Sequence, residues 1–158
     1  SGYSISKFAD AHTTLNSVSI KRFRVSVALA KAASPANTVK FTIYGDNNGK
    51  PGTELGSKLV QINTLKAGLY NDVLFDTPVT VDGRFYVGFE IDQTKADSIV
   101  INTAANRGTN NFKSAYTYTN SWIDVDDLFG GMTTSLGIEV LFSNAVKANA
   151  TLSTKKTT

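Results

Sequence analysis

Residues 102–127, NTAANRGTNNFKSAYTYTNSWIDVDD, gather Arg107, Phe112, Tyr116, Tyr118 and Trp122, the single tryptophan of this 158-residue chain, around the amides Asn110 and Asn111. Sugars are held by stacking their C–H faces on aromatic rings, while amides and charged groups hydrogen-bond their hydroxyls. Tyrosine and tryptophan, each a large apolar body with a polar tip, suit such a surface. The segment therefore points to a carbohydrate site made of Trp122, Tyr118, Tyr116, Asn110, Asn111 and Arg107. A competing assignment puts the rings in the core. Tyr116, Tyr118 and Trp122 share parity, so along one strand all three would point the same way. The solvent exposure of Trp122 separates the two assignments.

Other residues could do chemistry of a different kind. Asp124, Asp126 and Asp127 could hold a structural calcium ion, a hard cation that prefers oxygen ligands, or could simply line a solvated turn. Asp92 and Asp97 bracket a second loop. In FTIYGDNNGKPG, residues 41–52, the run from Asp46 begins like a calcium-binding EF-hand loop. The fifth position is Lys50, the sixth Pro51 and the twelfth Ser57, so the ligand spacing fails. A phosphate loop fails too, because no Gly-Lys-Ser/Thr follows. A turn remains, with Asn48-Gly49 accepting positive φ and Pro51-Gly52 setting a second bend. His12, the single histidine, falls in the polar stretch FADAHTTLNS without a nucleophile elbow, and reads as a surface residue. Glu90 and Glu139 would make a glycosidase pair only if their strands were neighbours. With no cysteine in the chain, thiol nucleophiles, disulfides and zinc-thiolate sites are excluded.

The elements that must position these residues are strands. Val39, Phe41 and Ile43 alternate with Lys40, Thr42 and Tyr44; Phe85, Val87, Phe89 and Ile91 alternate with Tyr86, Gly88 and Glu90. Leu136, Ile138, Val140 and Phe142 repeat the pattern. Period two places one set of side chains on a buried face. Further strands are expected at Tyr3–Phe8, Val18–Leu29, Lys58–Leu65, Leu69–Phe75, Ser98–Asn102 and Ala115–Ile123. The total of about nine short strands, without a long helix, predicts an all-β fold, an antiparallel β-sandwich of jelly-roll-like design. Within Val18–Leu29 the apolar phase slips between Ile20 and Phe23, which predicts a β-bulge or bend near Lys21–Arg22.

VKFTIYGDNNGKPGTELGSKLV, together with TPVTVDGRFYVGFEI and TSLGIEVLFSN, resembles a recurring pattern in extracellular β-sandwich modules of bacteria, especially Bacteroidetes. In that pattern a strand ending in Ile-Tyr enters an Asp/Asn-Gly-x-Pro-Gly hairpin, followed by an aromatic Val-Gly-Phe strand and a closing strand. The likeness covers roughly Val18 to Asn144. It implies an accessory module that sits beside secreted peptidases, adhesins or glycan-active enzymes.

Composition agrees with such a module. The chain is 41% hydrophobic and 18% charged, and long enough to bury a sizeable core. Its net charge of +3 comes from Lys147, Lys155 and Lys156, since residues 1–143 carry 13 basic and 13 acidic groups. No clustered basic face marks a nucleic-acid binder; Lys21, Arg22 and Arg24 read as a charged strand edge. No apolar run reaches the roughly 18 residues of a membrane span. The expectation is one β-sandwich domain over 1–143 with a flexible tail over 144–158. The module is expected to be non-catalytic and extracellular or cell-surface, with a carbohydrate or a neighbouring protein domain as partner. Removing residues 145–158 is expected to leave the melting temperature unchanged; a fall of more than a few degrees in a thermal melt would show that the tail docks.

Overall fold

The computed structural model describes residues 5–105 and 115–142. Arg107, Asn110, Asn111 and Phe112, and the tail over 144–158, lie outside them. Ten strands make up most of the described chain. They are β1 Lys7–Thr13, β2 Val18–Lys31, β3 Thr38–Asn47, β4 Lys50–Gln61, β5 Leu69–Val81, β6 Arg84–Ile91, β7 Ser98–Ile101, β8 Ala115–Tyr118, β9 Trp122–Asp124 and β10 Ile138–Phe142. A 3-10 turn, Ile62–Thr64, and one short helix, α1 Val125–Phe129, complete the elements. Six strands form one sheet in the order β4-β3-β6-β1-β8-β9; β10, β2 and β5 form the other, with β7 also paired to β2. Neighbours are antiparallel throughout. The fold is the expected antiparallel β-sandwich, with ten strands in place of about nine.

The alternation explains the core. Val39, Phe41 and Ile43 of β3 and Phe85, Val87 and Phe89 of β6 turn inward from the six-stranded sheet. Phe23, Val25 and Val27 of β2 and Val73 and Phe75 of β5 meet them from the other sheet. The Phe23 ring lies 5.6 Å from Phe41 and 5.5 Å from Phe75, so one side chain joins three strands across the sandwich. Fully burying a side chain of this size contributes about 1.5–3 kcal/mol.

The phase slip in β2 is real. Its pairing to β5 shifts between Ile20 and Arg22, so Lys21 and Arg22 both face solvent and Phe23 returns to the core. A second shift, between Val27 and Leu29, turns Leu29 outward with 45% of its surface exposed. The sequence reading had Leu29 in phase with the core; Ala30 packs there instead.

The hairpin at Asn48-Gly49 is tighter than expected. Asn47 pairs with Lys50, and φ is 53° at Asn48 and 83° at Gly49, the two positive values of a type I′ turn. Strand β4 starts at once, so Pro51-Gly52 forms no second turn and the strand expected from Lys58 begins at Lys50. Pro51 is tolerated because β4 is an edge strand, where a missing N–H breaks no ladder. Two further boundaries move. Of the strand expected over Tyr3–Phe8, Tyr3 and Ser4 lie outside the described residues and Ile5 and Ser6 precede β1, which runs on to Thr13; the run expected as one strand over Ala115–Ile123 is the β8–β9 hairpin.

The two long edge strands meet. Lys58 of β4 reaches Asp76 of β5 at 2.6 Å, and Gly56 lies against Val79. At the middle of the larger sheet, Gly88 of β6 pairs with Thr42 on one side and Ala9 on the other. A Cβ at Gly88 would come within 2.3 Å of the Phe8 carbonyl oxygen and 3.0 Å of the Ala9 Cβ. A Cβ at Gly49 would meet nothing within 4 Å, so only its backbone conformation resists substitution there. Gly88→Ala is expected to destabilise by about 1–3 kcal/mol or more through overpacking against backbone, and Gly49→Ala by about 1 kcal/mol. Urea unfolding of both variants checks this; equal losses would show that the sheet absorbs the methyl group.

Candidate functional site

The outward face of the six-stranded sheet carries the aromatic residues. Register aligns them in rows. Lys40, Glu90, Lys7, Tyr118 and Trp122 follow one another across β3, β6, β1, β8 and β9. The next row is Thr42, Gly88, Ala9, Tyr116 and Asp124, and beyond it Tyr44 pairs with Tyr86. The middle row is small over Thr42, Gly88 and Ala9, so rings on either side can lean over that stretch.

They lean far. Tyr44 on β3 and Trp122 on β9 are four strand spacings apart, about 19 Å in a flat sheet. Their ring centroids lie 5.4 Å apart. The sheet therefore curls so that its two ends face each other, and the rings close over Ala9. Tyr44, Tyr86, Tyr116 and Ala9 form a second buried cluster with Trp122 packed against it. Tyr116 donates its hydroxyl proton to the Gly49 carbonyl at 2.9 Å, tying β8 to the hairpin tip. Tyr86 donates to Asp46 at 2.7 Å, and Asp46 also accepts the Gly49 N–H at 3.2 Å. Burial raises the Tyr44 hydroxyl to about 12 and the Tyr86 hydroxyl further, so both stay protonated donors.

Tyr116, Tyr118 and Trp122 do share a face, as expected. Cross-strand pairing of Tyr118 with Trp122 brings the last two together, in place of parity along one strand. Neither assignment made from sequence describes that face fully. Tyr116 is only 5% exposed and belongs to the outer cluster, leaving no ring face for a ligand. Trp122 and Tyr118 are partly exposed, with centroids 5.4 Å apart and planes inclined at 65°. The Lys7 ammonium lies 5.1 Å from the Tyr118 ring centre. Lys7 pairs with Glu90 at 2.9 Å, and Lys40 pairs with Glu54 at 2.6 Å. The hydrogen bond from Lys40 holds the Glu54 carboxyl below the usual range. Tyr44, Lys7, Lys40 and Glu54 were not singled out from sequence. The available sign was that each of the first three sits at an outward position of an alternating strand.

The acids are placed for structure. Asp124 caps α1, accepting the Asp126 N–H at 2.9 Å, and Asp126 accepts the Gly131 N–H at 2.8 Å. The Asp124 and Asp126 carboxylates thus serve a helix start and its exit loop, and Asp127 lies one residue on in the helix. Among the described residues no three His, Cys, Asp or Glu side chains converge as a metal site needs. Asp97 binds Ala33 and Asn37 and so ties two loops, while Asp92 caps its own turn at Thr94. Glu90 and Glu139 lie on different sheets, so they cannot act as a pair.

No model of a protein family and no curated protein matches the chain. The fold is similar to the crystal structure of the cysteine protease and lectin-like domains of Cwp84, a surface layer associated protein of Clostridium difficile. The TM-score is 0.61 at 12% identity, covering 87% of this chain and 32% of that one. The Clostridial cysteine protease Cwp84 after propeptide cleavage gives 0.60 at 12% identity, covering 86% and 35%. This chain thus spans about a third of those chains, and the likeness falls on the lectin-like part. At that identity it concerns the fold alone.

His12 departs from the sequence reading. It lies inside β1, not in a connector, and stacks on Phe85 at 5.5 Å. Burial pushes its pKa from 6.5 to about 4, outweighing the Asp10 carboxylate 3.7 Å away. The imidazole is therefore neutral in the folded chain and more basic when unfolded. The unfolded state binds the extra proton between pH 6.5 and about 4, so stability must fall as pH drops through that window. The loss contributed by His12 is expected to be up to about 3 kcal/mol. His12→Phe should flatten the pH dependence of urea unfolding in that range; an unchanged slope would show that other groups carry it.

Proposed function

We propose that this chain is a non-catalytic accessory binding module of a secreted or cell-surface protein, and that its ligand is carbohydrate. The observation that carries the reading is the pair Trp122 and Tyr118. Both are partly exposed on the outer face of the larger sheet, next to a row of charged hydrogen-bonding groups. The likeness to a lectin-like, surface-layer-associated protein supports both the class and the location. The two strand glutamates sit on different sheets and the chain has no cysteine, which removes the glycosidase pair of Glu90 with Glu139 and a thiol nucleophile.

A second reading has its own observation. Tyr70 and Leu74 of β5, and the paired Leu29 and Val100 of β2 and β7, are 45–55% exposed on the outside of the smaller sheet. An apolar surface of this kind fits contact with a neighbouring protein domain.

The two are separated by substitution on each face. Trp122→Leu keeps an apolar body against Tyr44 and removes the ring. It should abolish retention on a polysaccharide gel while lowering stability by less than the 3–5 kcal/mol typical of truncating a fully buried tryptophan to alanine. Leu74→Lys should leave retention untouched. Polysaccharide retention lost with Leu74→Lys but kept with Trp122→Leu would move the site to the other sheet. If the wild type is retained on no polysaccharide, the docking reading stands in its place.

A further inference from the structure

The charges and ring angles beside Trp122 narrow the ligand, and this step rests on the carbohydrate reading. We infer that the site takes a neutral, soluble glycan chain, gripped at one sugar ring, and neither an anionic polysaccharide nor a crystalline polysaccharide surface. Two independent observations carry it.

The first is charge. Among the described residues three cations lie on this face, Lys7, Lys40 and Arg84, and each has a carboxylate beside it. Lys7 meets Glu90 at 2.9 Å; Lys40 meets Glu54 at 2.6 Å and Glu90 at 3.9 Å; Arg84 meets Asp46 at 3.9 Å. Each of these cations is thus matched by Glu90, Glu54 or Asp46, while Asp124 on the same face is engaged in capping α1. A uronate, sulfate or phosphate approaching it would meet a carboxylate with every ammonium. Opposite charges in contact at a wet surface gain little, and here the adjacent acid cancels that gain. A neutral sugar meets no such opposition. Its hydroxyls can both donate to Glu90 and accept from Lys7 without breaking the pair.

The second is shape. A flat crystalline surface needs rings in one plane. Trp122 is inclined at 65° to Tyr118 and at 72° to Tyr44. Neither tyrosine ring can lie on one flat face together with Trp122. A single pyranose can stack on one ring while its edge points toward the other.

Affinity electrophoresis through gels containing soluble polymers tests this. The panel pairs neutral chains (hydroxyethylcellulose, galactomannan, β-glucan, xylan) with anionic ones (polygalacturonate, heparin), and pull-downs use microcrystalline cellulose and chitin. The inference expects retardation by at least one neutral polymer, changed less than about twofold between low salt and about 0.5 M salt, and lost in both Trp122→Leu and Tyr118→Leu. Glu90→Gln frees Lys7 and leaves Lys40 with Glu54 as its one carboxylate, so it should add salt-sensitive retardation by heparin that the wild type lacks. Wild-type retardation by the anionic polymers alone, fading with salt, would overturn the inference and leave the carbohydrate reading in place. So would capture on the crystalline solids without binding to any soluble chain. Failure of every polymer and solid would overturn the carbohydrate reading itself.

Discussion

The contact between Tyr44 and Trp122 spans a sheet that, laid flat, would hold them far apart. It exists because the strands between them carry glycine and alanine at the point where the rings cross. Gly88 admits no Cβ, and Ala9 presents only a methyl group. Larger residues there would prop the rings up and flatten the sheet. Curvature, the buried tyrosines and the exposed pair at the rim are one packing solution. The hairpin at Asn48-Gly49 is drawn into it by the Tyr116 hydroxyl. A turn that looks like a mere connection thus holds one end of the curved face.

The face also shows why a sandwich can own two hydrophobic clusters. Inward residues of β3 and β6 meet the smaller sheet in the usual way. Outward residues of the same strands would face water in an ordinary two-layer protein. Here the sheet folds over its own outer side, and Tyr44 and Tyr86 are 6% and 0% exposed without any third layer of secondary structure among the described residues. The Tyr86 hydroxyl finds its partner in Asp46, as a buried tyrosine requires. What stays accessible is the last pair on the row, next to balanced ion pairs that contribute little to stability but give the surface its polarity.

Much of this was legible in the sequence. Period two located the strands because each has one dry face, and the slip at Lys21 was visible because a bulge must change the phase of burial. The tight turn was legible because Asn-Gly has few other uses between alternating strands. The second slip, at Leu29, was not, since leucine and alanine alternate there without a polar marker. The aromatic segment at 115–122 was found by composition, yet its real structure is a hairpin. Thr119, Asn120 and Ser121 are turn residues that could equally sit in a polar strand. Tyr44 and Tyr86 were passed over for a physical reason: their partners are strands distant in sequence, and curvature is a property of the assembled sheet. His12 was misplaced because its neighbours are polar, while what buries it is Phe85 across the ladder.

The meeting of β4 with β5 bears on how many copies can stand side by side. A long open strand edge is a template for pairing with another molecule, and sandwiches packed densely on a surface would be exposed to it. These are the two longest edges of this fold, and they lie against each other, with Lys58 over Asp76 and Gly56 seated on Val79. The opposite end of the larger sheet is β9, three residues long, and β10 and β7 at the margin of the smaller sheet have five and four. Among the described residues, strand exchange between neighbours finds no long open edge to pair with. Copies of this sandwich brought close together would meet at edges that leave little strand to pair.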